Sequence, residues 1–354
     1  MKNAQQGFRI GSLQVGAGHP PLIIAEMSGN HNGSLERALQ IADAAAAAGA
    51  HCLKLQTYTA DTMTLDLSEG EFFVSEPDNL WKGKSLYQLY KEAHTPWEWH
   101  KPIFERCRAL GILAFSSPFD TSAVELLESL GAPCYKIASF ENIDLPLIRR
   151  VAATGKPIIM STGMASMEEL QDAVHAAREA GCRELALLKC TSAYPAVPES
   201  ANLATMADLA KTFGCPVGLS DHTMGIGVAV GAAALGAALV EKHFTLSRAD
   251  GGVDAAFSLE PAELRALVEE TGNAWRAIGG VFYGPTEKEK ASLAYRRSIY
   301  VCEDIKQGEL LTAKNVRCIR PGRGLPPKHL DAVLGRRASR DAAKGTPVSW
   351  DLLA

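Results

Sequence analysis

Long apolar runs are missing from this chain of 354 residues. The opening MKNAQQGFRIGS has no apolar core of the kind a secretory leader needs. The longest apolar runs, IADAAAAAGA and GVAVGAAALGAALV, are Ala- and Gly-rich and too weak to span a bilayer. A cytoplasmic protein with no membrane partner is therefore expected. Excess basic charge is missing as well. The 36 Lys and Arg against 40 Asp and Glu leave a formal net charge of -4, which argues against nucleic acid as a partner. Eight cysteines are present but no CxxC pair, and most lie in apolar segments, as reduced and buried thiols do. No P-loop or GxGxxG fingerprint follows a strand, and no nucleophile elbow occurs; GLPP and RPGRG are turn material. The 47% hydrophobic and 21% charged residues that remain are those of an ordinary globular protein, long enough for one large domain and a small one.

From residue 20 to about 245 short β-type runs alternate with amphipathic runs rich in Ala, Leu and Glu. The β-type runs are PLIIAEM, HCLKLQT, ILAFSS, PCYKIAS, PIIMST, LALLKC, PVGLSD and ALVEKHF. Between them lie helical patterns such as SLERALQIADAAAAAG and SMEELQDAVHAAREAG. Strand then helix, repeated eight times, predicts a (β/α)8 TIM barrel. Every run closes on polar residues, and barrels of this kind gather their strand ends into one bowl. An insertion over 59–95, with Phe72, Phe73, Trp81, Tyr87 and Tyr90, is expected to fold over that bowl. After the Lys- and Glu-rich TEKEKAS the style changes to short strands and many turns. The chain is read as a catalytic barrel over 1–285 and a small β-rich domain over 286–354.

The stretch LVEKHFTL puts three ionisable side chains in a buried strand, which is costly unless they are paired. Strand alternation sends Glu241 and His243 inward and Lys242 towards the helices. GLSDHT places His222 at the mouth of the neighbouring strand. Two imidazoles and a carboxylate there suit a first-row divalent ion, Mn²⁺, Fe²⁺, Co²⁺ or Zn²⁺, better than Ca²⁺. The plainer alternative is that each histidine only satisfies a buried polar group. Lys54 in CLKLQT and Lys136 in CYKIAS also lie in barrel strands. An inward Lys needs an anion or loses its proton, so the pair suits a phosphate or carboxylate, with Ser139, Ser161 and Ser220 beside it. A Schiff-base lysine and a lysine facing the helix layer are the alternatives. Glu26 closes the first strand as a candidate general base or hydroxyl anchor. Asn30-His31-Asn32-Gly33 is turn chemistry, and Ser34 is a helix N-cap. Asp254 follows a Gly pair that lets backbone approach a ligand, and Asp250 is a turn residue.

Taken in order, IIAEMSGNHNGS, LKLQT, FSSPFD, YKIAS, STGMAS, CTSAYP, GLSDHT and VEKHFTL resemble the sialic acid synthase family, which condenses phosphoenolpyruvate with an amino sugar. The resemblance covers essentially the whole chain, because the tail is similar to that family's SAF (antifreeze-like) domain. SLYQLYKEAHTPWEWH, Ala193 in CTSAYP and DGGVDAAFSLEP are most similar to the pseudaminic acid branch. Neuraminate synthases more often carry Asn or Thr at the position of Ala193.

The resemblance implies that His222 and His243 hold a divalent metal, commonly Mn²⁺ with Mg²⁺ or Co²⁺ as alternatives, and that Glu241 completes or orients the site. It implies that Lys54, Lys136, Ser117, Ser139, Ser161 and Ser220 hold phosphoenolpyruvate. Glu26 then activates water or grips a sugar hydroxyl, Asp254 binds an N-acetylated amino sugar, and Gln56 and Tyr194 make further contacts. It also implies a domain-swapped homodimer in which the tail caps the partner's barrel. Arg320 of IRPGRG matches the arginine that reaches the partner's sugar site, and Arg323 is read as a surface charge.

Overall fold

The computed structural model describes residues 7–75 and 81–354. Part of the expected insertion, at 76–80, and the first six residues lie outside the described residues. The chain divides into two compact units, Met1–Gly279 and Gly280–Ala354, against an expected boundary at 285/286.

The first unit opens with a small antiparallel hairpin, β1 (Phe8–Ile10) and β2 (Leu13–Val15), turned by Gly11 at φ 56°. Eight parallel strands then close into a barrel. They are β3 (Leu22–Glu26), β4 (Cys52–Thr57), β5 (Leu113–Pro118), β6 (Tyr135–Ile137), β7 (Ile158–Ser161), β8 (Leu185–Cys190), β9 (Val217–Asp221) and β10 (Leu239–His243). The helices that connect them are α1 (Leu35–Ala47), then α2 (Ala60–Met63) and α3 (Leu86–Ala93) in the insertion, and α4 (Trp97–Ala109). They continue with α5 (Thr121–Ser129), α6 (Leu145–Ala152), α7 (Met167–Glu179), α8 (Thr205–Phe213), α9 (Gly227–Ala234) and α10 (Pro261–Ile278).

Local chemistry sets the element ends. Ser34 caps α1 by accepting from Arg37 N, as its position before LERALQ predicts. Ser166 and Glu169 close a capping box on α7, and α8 stops at Gly214 in the left-handed region. Side chains alternate across each strand and sort into two layers. Ile23, Leu53, Leu55, Ile137, Met160, Leu187 and Val240 face the helices and make the larger core. Leu22, Ile24, Phe115, Ile159, Leu188 and Leu239 fill the barrel's interior, and Phe8, Ile10 and Val15 of the hairpin join them. Each such Leu, Ile or Phe contributes about 1.5–3 kcal/mol by leaving water. Gly218 is inward where a Cβ would strike the Leu239 carbonyl and lie 2.8 Å from Leu188 Cδ2, so β9 approaches its neighbours only because that residue is glycine. The barrel's lower interior is therefore full, and what is open lies at the strands' carboxyl ends.

The second unit contains β11 (Ser298–Val301) paired antiparallel with β12 (Val316–Ile319), and the short helix α11 (Leu330–Val333). Isolated bridges such as Ile305–Ala342 and Ala338–Leu353 extend the pairing around a core that includes Ile299, Val301, Leu311, Val316 and Val348. Among the described residues, no helix is long and apolar enough to cross a membrane.

Candidate active site

The register that packs the lower barrel also decides what faces the bowl. In β10 Leu239 joins the interior core and Val240 the helix-facing one, so Glu241 and His243 follow Leu239 inward. Lys242 points the other way and is fully buried. It donates to Asp221 Oδ2 at 2.8 Å and to the Thr223 carbonyl at 2.7 Å. Asp221 and Lys242 are register partners, so this ion pair clamps β9 to β10 from behind.

One wall of the bowl is built on lysine. Lys54 Nζ lies 2.9 Å from Glu26 Oε2 and 3.7 Å from Glu241 Oε1, and donates to Ser117 Oγ at 3.4 Å. Lys136 Nζ donates to Ser161 Oγ at 2.7 Å and lies 3.8 Å from the same Glu241 oxygen. Ser220 donates to Glu241 Oε1 at 3.0 Å. Both lysines are buried among these groups and not against the helices, so the helix-facing alternative is excluded. Burial works against every charge here, and proximity decides each outcome. Glu241 is held below the usual carboxylate range because Lys136 and Lys54 outweigh its burial. Burial pushes Glu26 upward, against the pull of Lys54. Lys54 is pushed up because Glu241 and Glu26 overcome its burial, while burial brings Lys136 down.

Beside Lys136 the chain makes a cradle of small polar groups. Gly163 N–H donates to Ser139 Oγ at 3.2 Å, and Asn142 Nδ2 donates to the Ser161 and Gly163 carbonyls at 3.3 and 3.1 Å. A Cβ on Gly163 would collide with Ser192 Oγ and stand 2.6 Å from Ser139 Oγ. The spot stays open only to glycine, whose backbone can come close to an anion.

The facing wall is built on imidazole. The rings of His222 and His243 stand 5.3 Å apart, centre to centre. Tyr194 lies 4.4 Å from His222, and Phe257 lies 4.9 Å from His243. His222 Nδ1 is 2.9 Å from the Thr191 carbonyl, which only accepts, so Nδ1 carries the proton and Nε2 offers its lone pair. Burial holds His243 well below the usual imidazole range, with His222 adding to it, so the ring is neutral. Its Nδ1 is buried without a hydrogen-bond partner and lies 3.8 Å from Asp254 Oδ2. Cys190 and the Thr191 carbonyl raise His222 against its burial, whereas His243 is held neutral. Two imidazoles, one oriented through its far nitrogen and one with an orphaned nitrogen, fit a divalent cation that displaces the His222 proton. Glu241 is not gathered with them: its partners are Ser220 and the two lysines. Among the described residues no three His, Cys, Asp or Glu form a ready-made cation cage.

A hydrogen-bonded chain joins the walls. Gln56 Nε2 donates to Glu26 Oε1 at 2.9 Å and to Ser28 Oγ at 3.2 Å, and Ser28 Oγ donates to Asp254 Oδ2. Burial pushes the Asp254 carboxyl up, against the Ser28 hydrogen bond. Trp81 of the insertion donates to the Val253 carbonyl at 3.0 Å and stands 6.1 Å from Tyr194, so the insertion reaches the bowl's rim. His31 is a buried loop residue near Thr95 and Trp99, and Asp250 pairs with Arg37 at 2.7 Å. Arg320 follows β12 in the second unit and is exposed there, as is Arg323.

Sequence reasoning passed over five residues of this bowl. They are Ser28, Gly163, Phe257, Cys190 and Glu141. Cys190 Sγ lies 3.9 Å from His222 Nδ1, and its thiol is brought down to about 7, since His222 outweighs its burial. Glu141 follows β6 with Oε2 buried and unpartnered, and burial pushes its carboxyl up to about 7. The inward alternation that flags Lys136 stops at the end of β6, so it does not extend to Glu141.

A family model described as the NeuB family matches residues 41–283, and a SAF domain model matches residues 296–354. A pseudaminic acid synthase of Helicobacter pylori is 44% identical over 94% of this chain and 97% of its own length. An N,N'-diacetyllegionaminic acid synthase of Legionella pneumophila is 34% identical over 93% of each chain. The crystal structure of an N-acetylneuraminic acid synthetase from Leptospira borgpetersenii, in complex with citrate, superposes with a TM-score of 0.72 at 32% identity. It covers 81% of this chain and 95% of that one.

Proposed function

From the premise that the chain belongs to the NeuB family, we propose that it is a pseudaminic acid synthase. In this reading phosphoenolpyruvate, 2,4-diacetamido-2,4,6-trideoxy-L-altrose and water give pseudaminic acid and phosphate, which makes the enzyme a transferase that forms a C–C bond. The higher identity to a pseudaminic acid synthase than to a legionaminic acid synthase carries the choice of sugar.

The lysine wall takes phosphoenolpyruvate. Lys54 and Lys136 face its anionic groups, while Ser117, Ser139, Ser161 and Ser220 supply hydrogen bonds around them and Gly163 keeps the space beside Ser139 and Ser192 open. Because Glu241 and Glu26 already compensate the lysines, the wall is charged before substrate arrives and needs little reorganisation. The lysines act as anion holders, and no Schiff base is part of the reaction.

His222 and His243 are the residues that would hold a divalent cation, Mn²⁺ with Mg²⁺ and Co²⁺ as the other candidates. When bound, it supplies Lewis-acid polarisation of the sugar's aldehyde oxygen. C3 of the enol attacks the aldehyde carbon, and positive charge develops at C2, where Glu241 and Glu26 provide negative field. Glu26 takes the proton of the water that adds to C2, or grips a sugar hydroxyl. Phosphate then leaves with the C–O bond, not the P–O bond, broken. Asp254, Gln56 and Tyr194 hold the sugar.

The second unit, a SAF domain, caps the partner's barrel in a domain-swapped homodimer, and Arg320 reaches the partner's sugar site. We place the protein in the cytoplasm, where phosphoenolpyruvate is made. The test is phosphate release from phosphoenolpyruvate with each of three sugars: the altrose derivative, N-acetylmannosamine and the legionaminic acid precursor. Turnover is expected with the first. Turnover with N-acetylmannosamine alone, or with the legionaminic acid precursor alone, would reassign the substrate within the same family.

A further inference from the structure

Ser28 sits in a conformation that serine avoids. Its φ is 46°, in the left-handed region where a Cβ clashes with the following carbonyl. Such strain persists only where the surroundings enforce it, and often at functional sites. Here both hydrogen-bonding roles of the hydroxyl are used. It accepts from Gln56 Nε2 at 3.2 Å and donates to Asp254 Oδ2. Glycine would hold the same turn without strain, so turn geometry alone does not explain a serine.

Among the described residues no other side chain hydrogen-bonds to the Asp254 carboxylate. The loop's remaining straps are elsewhere: Asn32 Nδ2 donates to the Gly251 carbonyl at 3.1 Å, Ser258 Oγ donates to the Asp254 carbonyl at 2.7 Å, and Trp81 donates to the Val253 carbonyl. His243 Nδ1, at 3.8 Å, is beyond hydrogen-bonding distance.

We propose that Ser28 is a positioning residue for the sugar site: its hydroxyl fixes the Asp254 carboxylate relative to Gln56 and Glu26, and so sets how tightly an amino-sugar hydroxyl is held. The inference rests on the reading of Asp254 as a sugar-binding residue. It assigns no contact between Ser28 and the substrate. With one Asp254 oxygen tied to Ser28, the other is left for the ligand. Gln56 links the same hydroxyl to Glu26, so loss of the hydroxyl loosens the sugar side and leaves the lysine side as it is.

The test is steady-state phosphate release by the full-length enzyme with phosphoenolpyruvate and the altrose derivative, for Ser28→Gly, Asp254→Asn and the double variant. Thermal unfolding of each is measured in parallel. Ser28→Gly keeps the turn, so its Tm is expected within a few degrees of the wild type, because relief of strain offsets glycine's extra freedom when unfolded. Its KM for the sugar rises about tenfold, as loss of a hydrogen bond to a charged group implies, while the KM for phosphoenolpyruvate changes by less than about twofold. The double variant is no worse than Asp254→Asn alone, because Ser28 acts through Asp254. A sugar KM unchanged in Ser28→Gly, or a rise in both KM values together, overturns the proposal while an affected Asp254→Asn keeps the sugar site where it is. If Asp254→Asn leaves the sugar KM unchanged, the reading of Asp254 itself falls, and the proposal with it.

Discussion

The wall built on β4 and β6 holds two lysines set between two carboxylates, whereas the wall built on β9 and β10 holds two imidazoles with one carboxylate near them, Asp254 at 3.8 Å from His243 and without a hydrogen bond to it. Both are buried and rise from the same barrel register. On the lysine side, Glu26 and Glu241 make buried ammonium groups tolerable, and an incoming anion joins a network that is already charged. On the histidine side, His243 is buried as a neutral ring whose Nδ1 has no hydrogen-bond partner among the described residues, while Cys190 and the Thr191 carbonyl raise His222. The charges of one wall are paired within the chain, and a ring nitrogen of the other is left without a hydrogen bond. The two should therefore fail differently when broken.

The largest effect is expected on the histidine side. His243→Ala should lower turnover by about a thousandfold or more, since it removes one of the two side chains proposed to hold the cation. Circular dichroism should show an intact fold, and phosphoenolpyruvate should still bind in calorimetry. A rate within about tenfold of the wild type would remove His243 from the site.

Lys136→Met breaks the other wall in a different way. It leaves Glu241 under-compensated in a dry interior, which should cost about 3 kcal/mol in urea unfolding, and it should raise the KM for phosphoenolpyruvate about a hundredfold. Adding Glu241→Gln should return part of the stability without restoring the KM. Additive stability losses in the double variant would mean that the two groups are not coupled.

Glu141 sharpens the contrast through pH. Its carboxyl sits near 7 when folded and near 4.5 when unfolded. The unfolded chain releases that proton first as pH rises, so the group favours the fold below about 4.5, and this contribution is lost as pH rises towards 7. Between pH 5 and 7.5 the wild type should lose up to about 3 kcal/mol relative to Glu141→Gln, read as diverging Tm curves. Parallel curves would place that carboxyl in water. The smallest effect belongs to Gly163→Ala. The added methyl displaces Ser139 and Ser192, and about a tenfold rise in the KM for phosphoenolpyruvate is expected, with the sugar KM unmoved.

Much of this bowl was legible in the chain before any coordinates. A period of two in LVEKHF is enough to send Glu241 and His243 inward and Lys242 outward, and the same rule turns Lys54 and Lys136 into the barrel. Periodicity gives a face and not a partner, which is why the sequence leaves Glu241 either completing or orienting a metal site, while its hydrogen bond and ion pairs in the fold go to Ser220 and the lysines. The hairpin FRIGSLQV escaped notice because its strands are only three residues each, though Gly11 between alternating apolar residues is a turn signal. Ser28, Gly163 and Glu141 lie just past strand ends, where alternation no longer applies and only tertiary contacts decide direction. Asp254 reaches the bowl because its loop is strapped to the turn after β3, a pairing separated by more than two hundred positions in the chain.

In the proposed reaction the histidine wall works only with a divalent cation, while the lysine wall needs none. The direct measurement is phosphate release by enzyme stripped with EDTA and dialysed, given phosphoenolpyruvate and 2,4-diacetamido-2,4,6-trideoxy-L-altrose, before and after Mn²⁺ is added back. No turnover is expected in the stripped protein, with recovery on adding Mn²⁺. Phosphate released at the untreated rate by protein shown to be metal-free would contradict the cation requirement.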